Sequence, residues 1–421
     1  MLAVTDKVKP IRRSTIVLCL LLPMLLIVNL LLFALAAILL IPILVLFIEC
    51  SAALLPLRPI AADRARPRLT VLIPAHNEAL GIRSTLATVQ PQLTRQDQLI
   101  VIADNCTDDT AAIARDCGAT VVERQSTDQR GKGYALDYGL RSIEANPPEV
   151  VVTIDADCWV HDGAIDRLAR QAAATHRPAQ ALYLMEQPPQ PGPRDSVSGL
   201  AFLVKNLVRP AGLTQFNLPC PLTGTGMAFP WSVIRTATLA SGNIVEDMQL
   251  GIDLAIAGYA PLFCPSARVT GRLPQQAQAA RSQRTRWEHG HLQTLVTQVP
   301  RLLGAAIAQT RLDLLAIGLD LSIPPLSLLV MLWIAGLGVT LVAAVCGAAW
   351  LPAIGLAAAG LLILFAIVSG WAKYGRATIP GKALLAVPFY MLWKIPLYLA
   401  ALVRPQTQWV RTEREADTLK P

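Results

Sequence analysis

Two aspartates at spacing i, i+2, Asp155 and Asp157, close the apolar run "VVVTIDADCWV" at residues 150–160. Carboxylate oxygens are the preferred ligands of hard cations such as Mg²⁺ and Mn²⁺, and Mg²⁺ commonly takes one or two of them together with substrate phosphates. An Asp at a strand end also starts turns and caps helices. D-x-D alone therefore decides nothing, but it has company. "PAHNE" (74–78), "DNCTDDT" (104–110), "RGKGYAL" (130–136), "PLTGTGMAF" (221–229), "VED" (245–247) and "QRTRW" (283–287) supply further carboxylates, cations, glycines and a tryptophan. Lys132 stands at a helix start, where backbone N–H groups and the helix dipole favour a phosphate. The G-x-x-x-x-G-K-[ST] spacing of a Walker A loop is absent from that stretch.

The elements that must position these residues alternate. "RLTVLIPA" (68–75), "QLIVIAD" (98–104), "ATVVER" (119–124) and residues 150–154 read as strands, with helical spacing over 81–93, 110–118 and 133–145 between them. Strands alternating with helices of this length predict βαβ units and a parallel sheet. Ligands of such sheets bind outside the carboxyl ends of the strands, where "NE", "DNCTDDT" and D-x-D all fall.

The chain has 421 residues, 53% of them hydrophobic, and a formal net charge of +8. Its apolar residues are concentrated at the two ends. Residues 15–57 carry Glu49 as their one charged side chain. A single helix of that length would run about 64 Å, twice the hydrocarbon core. The expectation is a two-pass hairpin, with Lys7, Lys9, Arg12 and Arg13 before it and Arg58, Arg64, Arg66 and Arg68 after it, so that both ends and the middle of the chain stay cytoplasmic. Residues 324–345 and 350–372 are each long enough to span, 299–321 reads as a helix lying in the interface, and 383–403, broken by Pro388 and Pro396 around Lys394, reads as interfacial or re-entrant. The resulting layout is 1–65 hairpin, 66–298 cytoplasmic α/β domain, 299–403 interfacial and spanning helices, and 404–421 basic tail, in a multi-pass protein of the plasma (inner) membrane. The basic residues lack aromatic interleaving, which argues against nucleic acid and for membrane lipids as the partner of the positive charge. Eight scattered cysteines without C-x-x-C fit small buried hydrophobes in a reducing compartment.

The ordered series N-E, D-N-C-T-D-D-T, D-A-D, G-T-G, E-D and Q-x-x-R-W, inside a membrane-flanked α/β domain, resembles the family-2 glycosyltransferases of the membrane-bound, polysaccharide-synthase type. The resemblance implies a GT-A fold, with a mostly parallel sheet and helices on both faces, flanked by transmembrane helices. It implies a UDP-sugar donor, Mg²⁺ or Mn²⁺, and as acceptor a growing polysaccharide or a polyprenyl-linked oligosaccharide. Residue by residue, Glu78 and Asp104 would contact base and ribose, Lys132 and Asp155 the nucleotide, and Asp157 with Asp155 the cation. Asp247, beside Glu246, would be the general base, while Gly224, Thr225, Gln283, Arg286 and Trp287 would hold the diphosphate and the acceptor sugar. That chemistry suits the residue types: a leaving diphosphate needs cationic stabilisation, and a hydroxyl nucleophile needs a carboxylate to take its proton. A single base without an enzyme nucleophile implies inversion.

Bland roles compete at several of these positions. Glu78 is placed to cap the helix beginning near Leu80, and Asp108 and Asp109 to cap the helix at 110–118. Arg284 and Arg286 could face lipid phosphates, and Trp287 is of a type found at bilayer interfaces. The sequence departs from the resemblance at Val245, where the family carries Thr, and in having about two clear C-terminal spans, fewer than polymer-translocating synthases. A catalytically silent nucleotide-sugar-binding scaffold is the rival reading. It is disfavoured because Asp157, Asp247 and Arg286 are all present.

Overall fold

The computed structural model describes residues 13–57, 65–187, 191–240, 246–272 and 277–387, with 389–391, 393–395 and 398; for 13–21, 272 and 277–286 only the backbone is described. One eight-stranded sheet organises the middle of the chain. Its strands are β1 (Leu69–Ala75), β2 (Gln98–Asp104), β3 (Thr120–Arg124), β4 (Val150–Thr153), β5 (Cys158–Val160), β6 (Ala179–Glu186), β7 (Met227–Pro230) and β8 (Leu262–Arg272), in the order β3-β2-β1-β4-β7-β6-β8-β5.

The expected parallel half is present. β1 pairs in parallel with β2 and β4, and β2 with β3. β1 and β4 are almost wholly buried, as continuous Val/Leu/Ile runs in a sheet covered on both faces should be. The other half is mixed: β7 runs antiparallel to β4 and β6, β5 antiparallel to β8, and β6 parallel to β8. The chain thus leaves the sheet centre at Thr153 and rejoins it at the far edge at Cys158. Asp155 and Asp157 sit on that crossing segment, so the D-x-D pair is carried by a loop spanning the sheet's carboxyl edge.

Two asparagines in the motifs have a backbone reason. Asn77 and Asn105 both adopt φ of 53°, a left-handed conformation that Asn tolerates better than most residues. Asn77 accepts from the Thr107 N–H at 2.7 Å and Asn105 from the Ser126 N–H at 2.8 Å, binding the loops after β1, β2 and β3 to one another.

The N-terminal hairpin is corrected. Residues Arg13–Ala52 form one continuous helix of 40 residues, with Pro23 and Pro42 inside it. The length that suggested two passes is taken up by docking. Ile43, Leu46, Cys50 and Ala53 bury against Leu203, Leu207 and Ala211 from the helical stretch 193–215 and against Ile323, so the last turns of the helix meet protein. Glu49 lies in this contact, 3% exposed, with Arg209 Nε 3.3 Å away; Arg209 also donates to Asp320 at 2.7 Å. Arg13 opens this helix, and Arg66 and Arg68 follow its far end.

Three described helices are long and apolar enough to cross a membrane: Leu22–Ala52, Leu326–Val345 and Leu351–Gly375. The interfacial helix expected at 299–321 is also revised. Residues 299–308 continue the helix Ala277–Ala308, so the boundary drawn at 298 falls inside a helix, and Leu312–Leu321 folds back on it. Val299, Leu302, Leu314 and Ile317 bury there against Ile252 and Ala255 of the helix Glu246–Ile256. Much of 383–403 and all of the tail 404–421 lie outside the described residues.

Candidate functional site

Three backbone segments meet at the carboxyl edge of the sheet. The helix Lys132–Ser142 begins there, the D-x-D segment crosses it, and the G-T-G turn at 224–226 leads into β7. Gly224 (φ 93°) and Gly226 (φ 64°) are both left-handed. A Cβ at Gly226 would lie 2.8 Å from the Ala181 Cβ and 2.9 Å from a Val269 methyl, so a side chain is excluded sterically as well. Between them Thr225 is fully buried, and its Oγ1 accepts the Asp155 N–H at 3.0 Å. The turn therefore fixes the D-x-D loop directly.

A residue that the motifs do not contain supports this turn. Gln180, buried in β6, accepts the Thr223 N–H at 2.9 Å and donates to the Thr225 carbonyl at 3.0 Å. A lone polar residue in the otherwise apolar start of β6 was the one signal for it.

Lys132 connects the three segments. Its ammonium pairs with Asp155 and donates to the Gly224 carbonyl at 2.6 Å. Burial disfavours the ammonium, but Asp155, Glu246 and Asp247 outweigh that and hold Lys132 above its ordinary pKa. Desolvation also raises Asp155, with Asp157 adding to the rise and Lys132 opposing it. Glu246 and Asp247 open the helix Glu246–Ile256, where the N-terminal dipole favours carboxylates. Burial, followed by the charge of Asp247, pushes Glu246 up to about 7.

Asp155, Asp157 and Cys158 bring ligand atoms within 4.8 Å of one another. Burial, reinforced by the two aspartates, drives the Cys158 thiol well above its ordinary range, so it remains protonated and is a poor ligand. What remains is a pair of carboxylates, a hard-oxygen set that fits Mg²⁺ or Mn²⁺. Asp155 is also engaged by Lys132.

A cavity of roughly 300 Å³ opens from these groups. Lys132, Asp155, Gly224, Glu246 and Asp247 form one end, and Leu46, Pro325, Leu326 and Ser327, at the bases of two candidate spans, form the other. Trp287 lines it, its ring centroid 5.8 Å from that of Phe202. The side chains of Gln283 and Arg286, and Val245 altogether, lie outside the described residues. His291 is buried and bonded to the Ile323 carbonyl at 3.1 Å.

Glu78 and Asp104 do not line this cavity. They stand after β1 and at the end of β2, on the same edge. Asp104 is buried and paired with Arg124 at 2.6 Å, a partner that the motif did not contain. The Glu78 carbonyl accepts from the Gly81 and Ile82 N–H groups at the start of the helix Ile82–Val89. Asp108 accepts the N–H groups of Ala79 and Thr110 at 3.1 Å each, whereas Asp109, at the N-cap of the helix that begins at Thr110, makes no side-chain capping bond.

Comparison with known proteins agrees with this geometry. A family model described as "Glycosyltransferase like family 2" matches residues 67–290. Glucosyl-3-phosphoglycerate synthase of Mycobacterium tuberculosis is 36% identical over 102 residues, covering 23% of this chain and 31% of that protein. The probable glycosyltransferase YdaM of Bacillus subtilis is 25% identical over 243 residues, 53% of this chain and 55% of that protein. The chain thus spans about a third to about half the length of these curated relatives. Among solved structures, the mannosyltransferase PcManGT from Pyrobaculum calidifontis, in complex with GDP-Man and Mn²⁺, superposes with a TM-score of 0.53 at 19% identity, over 86% of this chain and 99% of that one. That likeness is one of fold, and it makes the mixed sheet a GT-A sheet.

Proposed function

The chain belongs to the glycosyltransferase-like family 2, and from that premise we propose that it is a membrane-bound, metal-dependent, inverting transferase acting on a UDP-sugar. The acceptor is a growing polysaccharide or a polyprenyl-linked oligosaccharide at the cell surface. The observation that carries this reading is the single cavity joining Lys132, Asp155 and Asp247 to the bases of two apolar helices.

Asp155 and Asp157 would hold a divalent cation, which when bound neutralises the diphosphate as it leaves. Lys132 adds a fixed positive charge beside that leaving group, held in place by Asp155 and the Gly224 carbonyl. Asp247 takes the proton of the attacking acceptor hydroxyl, with Glu246 beside it at the start of the same helix. Trp287 and Phe202 offer apolar faces for a sugar ring. With one base and no enzyme nucleophile, a single displacement inverts the anomeric centre.

The catalytic domain is assigned to the cytoplasmic face of the inner membrane. The connection 346–350 between the two C-terminal spans carries no Lys or Arg, whereas Arg66, Arg68, Lys373 and Arg376 flank the ends nearest the domain.

The test is to incubate detergent-purified full-length protein and Mn²⁺ with a panel of UDP-sugars and a lipid-linked acceptor, sizing the products by mass spectrometry. A ladder of identical additions identifies a synthase, and a single added mass identifies one step of repeat-unit assembly. No product with any donor, in wild type as in Asp247→Asn, would favour the silent scaffold.

A further inference from the structure

The cavity collects unmatched polar atoms. Buried side-chain oxygens without a hydrogen-bond partner among the described residues include Gln187 Oε1, Asn206 Oδ1, Thr223 Oγ1 and Glu288 Oε2, and all four residues line this one cavity. Asn206 is 4% exposed, its amide nitrogen already spent on the Tyr183 carbonyl at 3.3 Å. Buried polar groups are nearly always bonded. All four oxygens are closed to solvent, behind the cavity wall, so they do not by themselves define a ligand.

The cations of the same cavity are unequal. Lys132 is held by Asp155 and Gly224, Arg209 by Asp320 and Glu49, and Lys394 by Glu288. Lys205 lines the cavity and has neither an ion pair nor a hydrogen bond among the described residues. It sits with Asn206 in the π-helical turn Val204–Val208, within the otherwise α-helical stretch 193–215. Such turns inside helices recur at functional sites, because the extra residue redirects the side chains it carries.

We infer that the acceptor is an anionic saccharide whose negative group pairs with Lys205. This deepens the proposed transferase reading and rests on it. Two sources supply such an anion: the carboxylate of an acidic sugar, or the phosphate joining a sugar to its lipid carrier. Either presents charged oxygens to an ammonium inside a cavity, where the bond is stronger than at a surface. The apolar end of the cavity, at Leu46 and Leu326, accommodates a lipid tail in both cases.

The test measures binding to full-length protein in detergent with Mn²⁺ and UDP present, by calorimetry. Octyl glucuronide is compared with octyl glucoside, and farnesyl-diphospho-glucose with farnesyl glucoside. In at least one pair the charged member should bind about tenfold or more tightly. Lys205→Gln should erase that preference and Lys205→Arg retain it. A preference in the first pair identifies an acidic sugar, and one in the second pair a lipid phosphate. Equal affinities within both pairs, no binding of any probe, or a preference that survives Lys205→Gln in a normally unfolding protein overturns the inference. Should Lys205→Gln fail to fold, the wild-type preference must still shrink with added salt; a salt-independent preference would also overturn it. Failure of UDP itself to bind strikes instead at the nucleotide-sugar reading beneath.

Discussion

The Lys132 ammonium donates to the Gly224 carbonyl at 2.6 Å while pairing with Asp155, so one side chain ties a helix start, the G-T-G turn and the D-x-D loop together. Replacing it with Met leaves Asp155 buried beside Asp157 without its counter-ion. Donor turnover should fall by about 10²-fold or more, the scale of losing one preorganised electrostatic group. Lys132→Arg should recover little of this, since a planar fork cannot reproduce a point charge shared between a carboxylate and a carbonyl. Initial rates of UDP release measure both variants.

Asp247→Asn keeps the side chain's shape and removes the base. The transfer rate should drop by about 10²–10⁴-fold, with UDP affinity little changed. A parallel loss of UDP binding would show instead that Asp247 serves the donor.

Glu246 gives a pH dependence of stability. Its carboxyl is raised to about 7 in the folded protein, above the ordinary value of 4.5, so the native state keeps a proton that the unfolded chain has released. The stabilisation is complete below about 4.5 and is lost as pH rises toward about 7. Glu246→Gln removes that term. The unfolding temperature of the variant relative to wild type should therefore rise between pH 5 and pH 8, measured in one detergent.

Gly226→Ala tests the G-T-G geometry. The new methyl meets Ala181 and Val269 at under 3 Å from a left-handed backbone, a combination that costs about 1–3 kcal/mol. Thermal unfolding should register a fall of several degrees, and Thr225 should lose its hold on the Asp155 N–H.

Arg209→Met should be the most damaging change away from the active site. It leaves Glu49 and Asp320 buried without a counter-ion at the join between the N-terminal helix and the catalytic domain. Breaking such a set by removing one partner costs about 3–5 kcal/mol. Yield of monodisperse protein in detergent is the direct readout.

The parallel half of the sheet was legible because β1, β2 and β4 are continuous buried apolar runs with glycine- and proline-marked breaks. The other half was not. β5 is three residues long and joins the sheet only through β8, a pairing without local trace in the sequence. The anchor was misread because length was compared with a bilayer alone, although its last turns carry Ile43, Leu46 and Cys50 into the protein core. At the site, the residues found by motif are those whose type and spacing suit the proposed chemistry. Gln180, Arg124, Lys205 and Asn206 reach it through tertiary packing, and a polar residue in an apolar helix or strand gives no periodic sign of what it will face.

The central claim is that this cavity performs metal-dependent transfer from a nucleotide sugar. The most direct measurement is UDP release from a UDP-sugar panel by full-length protein, with Mn²⁺ and with EDTA, for wild type and Asp157→Asn. Release from at least one donor that requires Mn²⁺ and is lost in the variant is the expected result. Release indifferent to EDTA and to Asp157, or none from any donor while UDP binds normally, would contradict it.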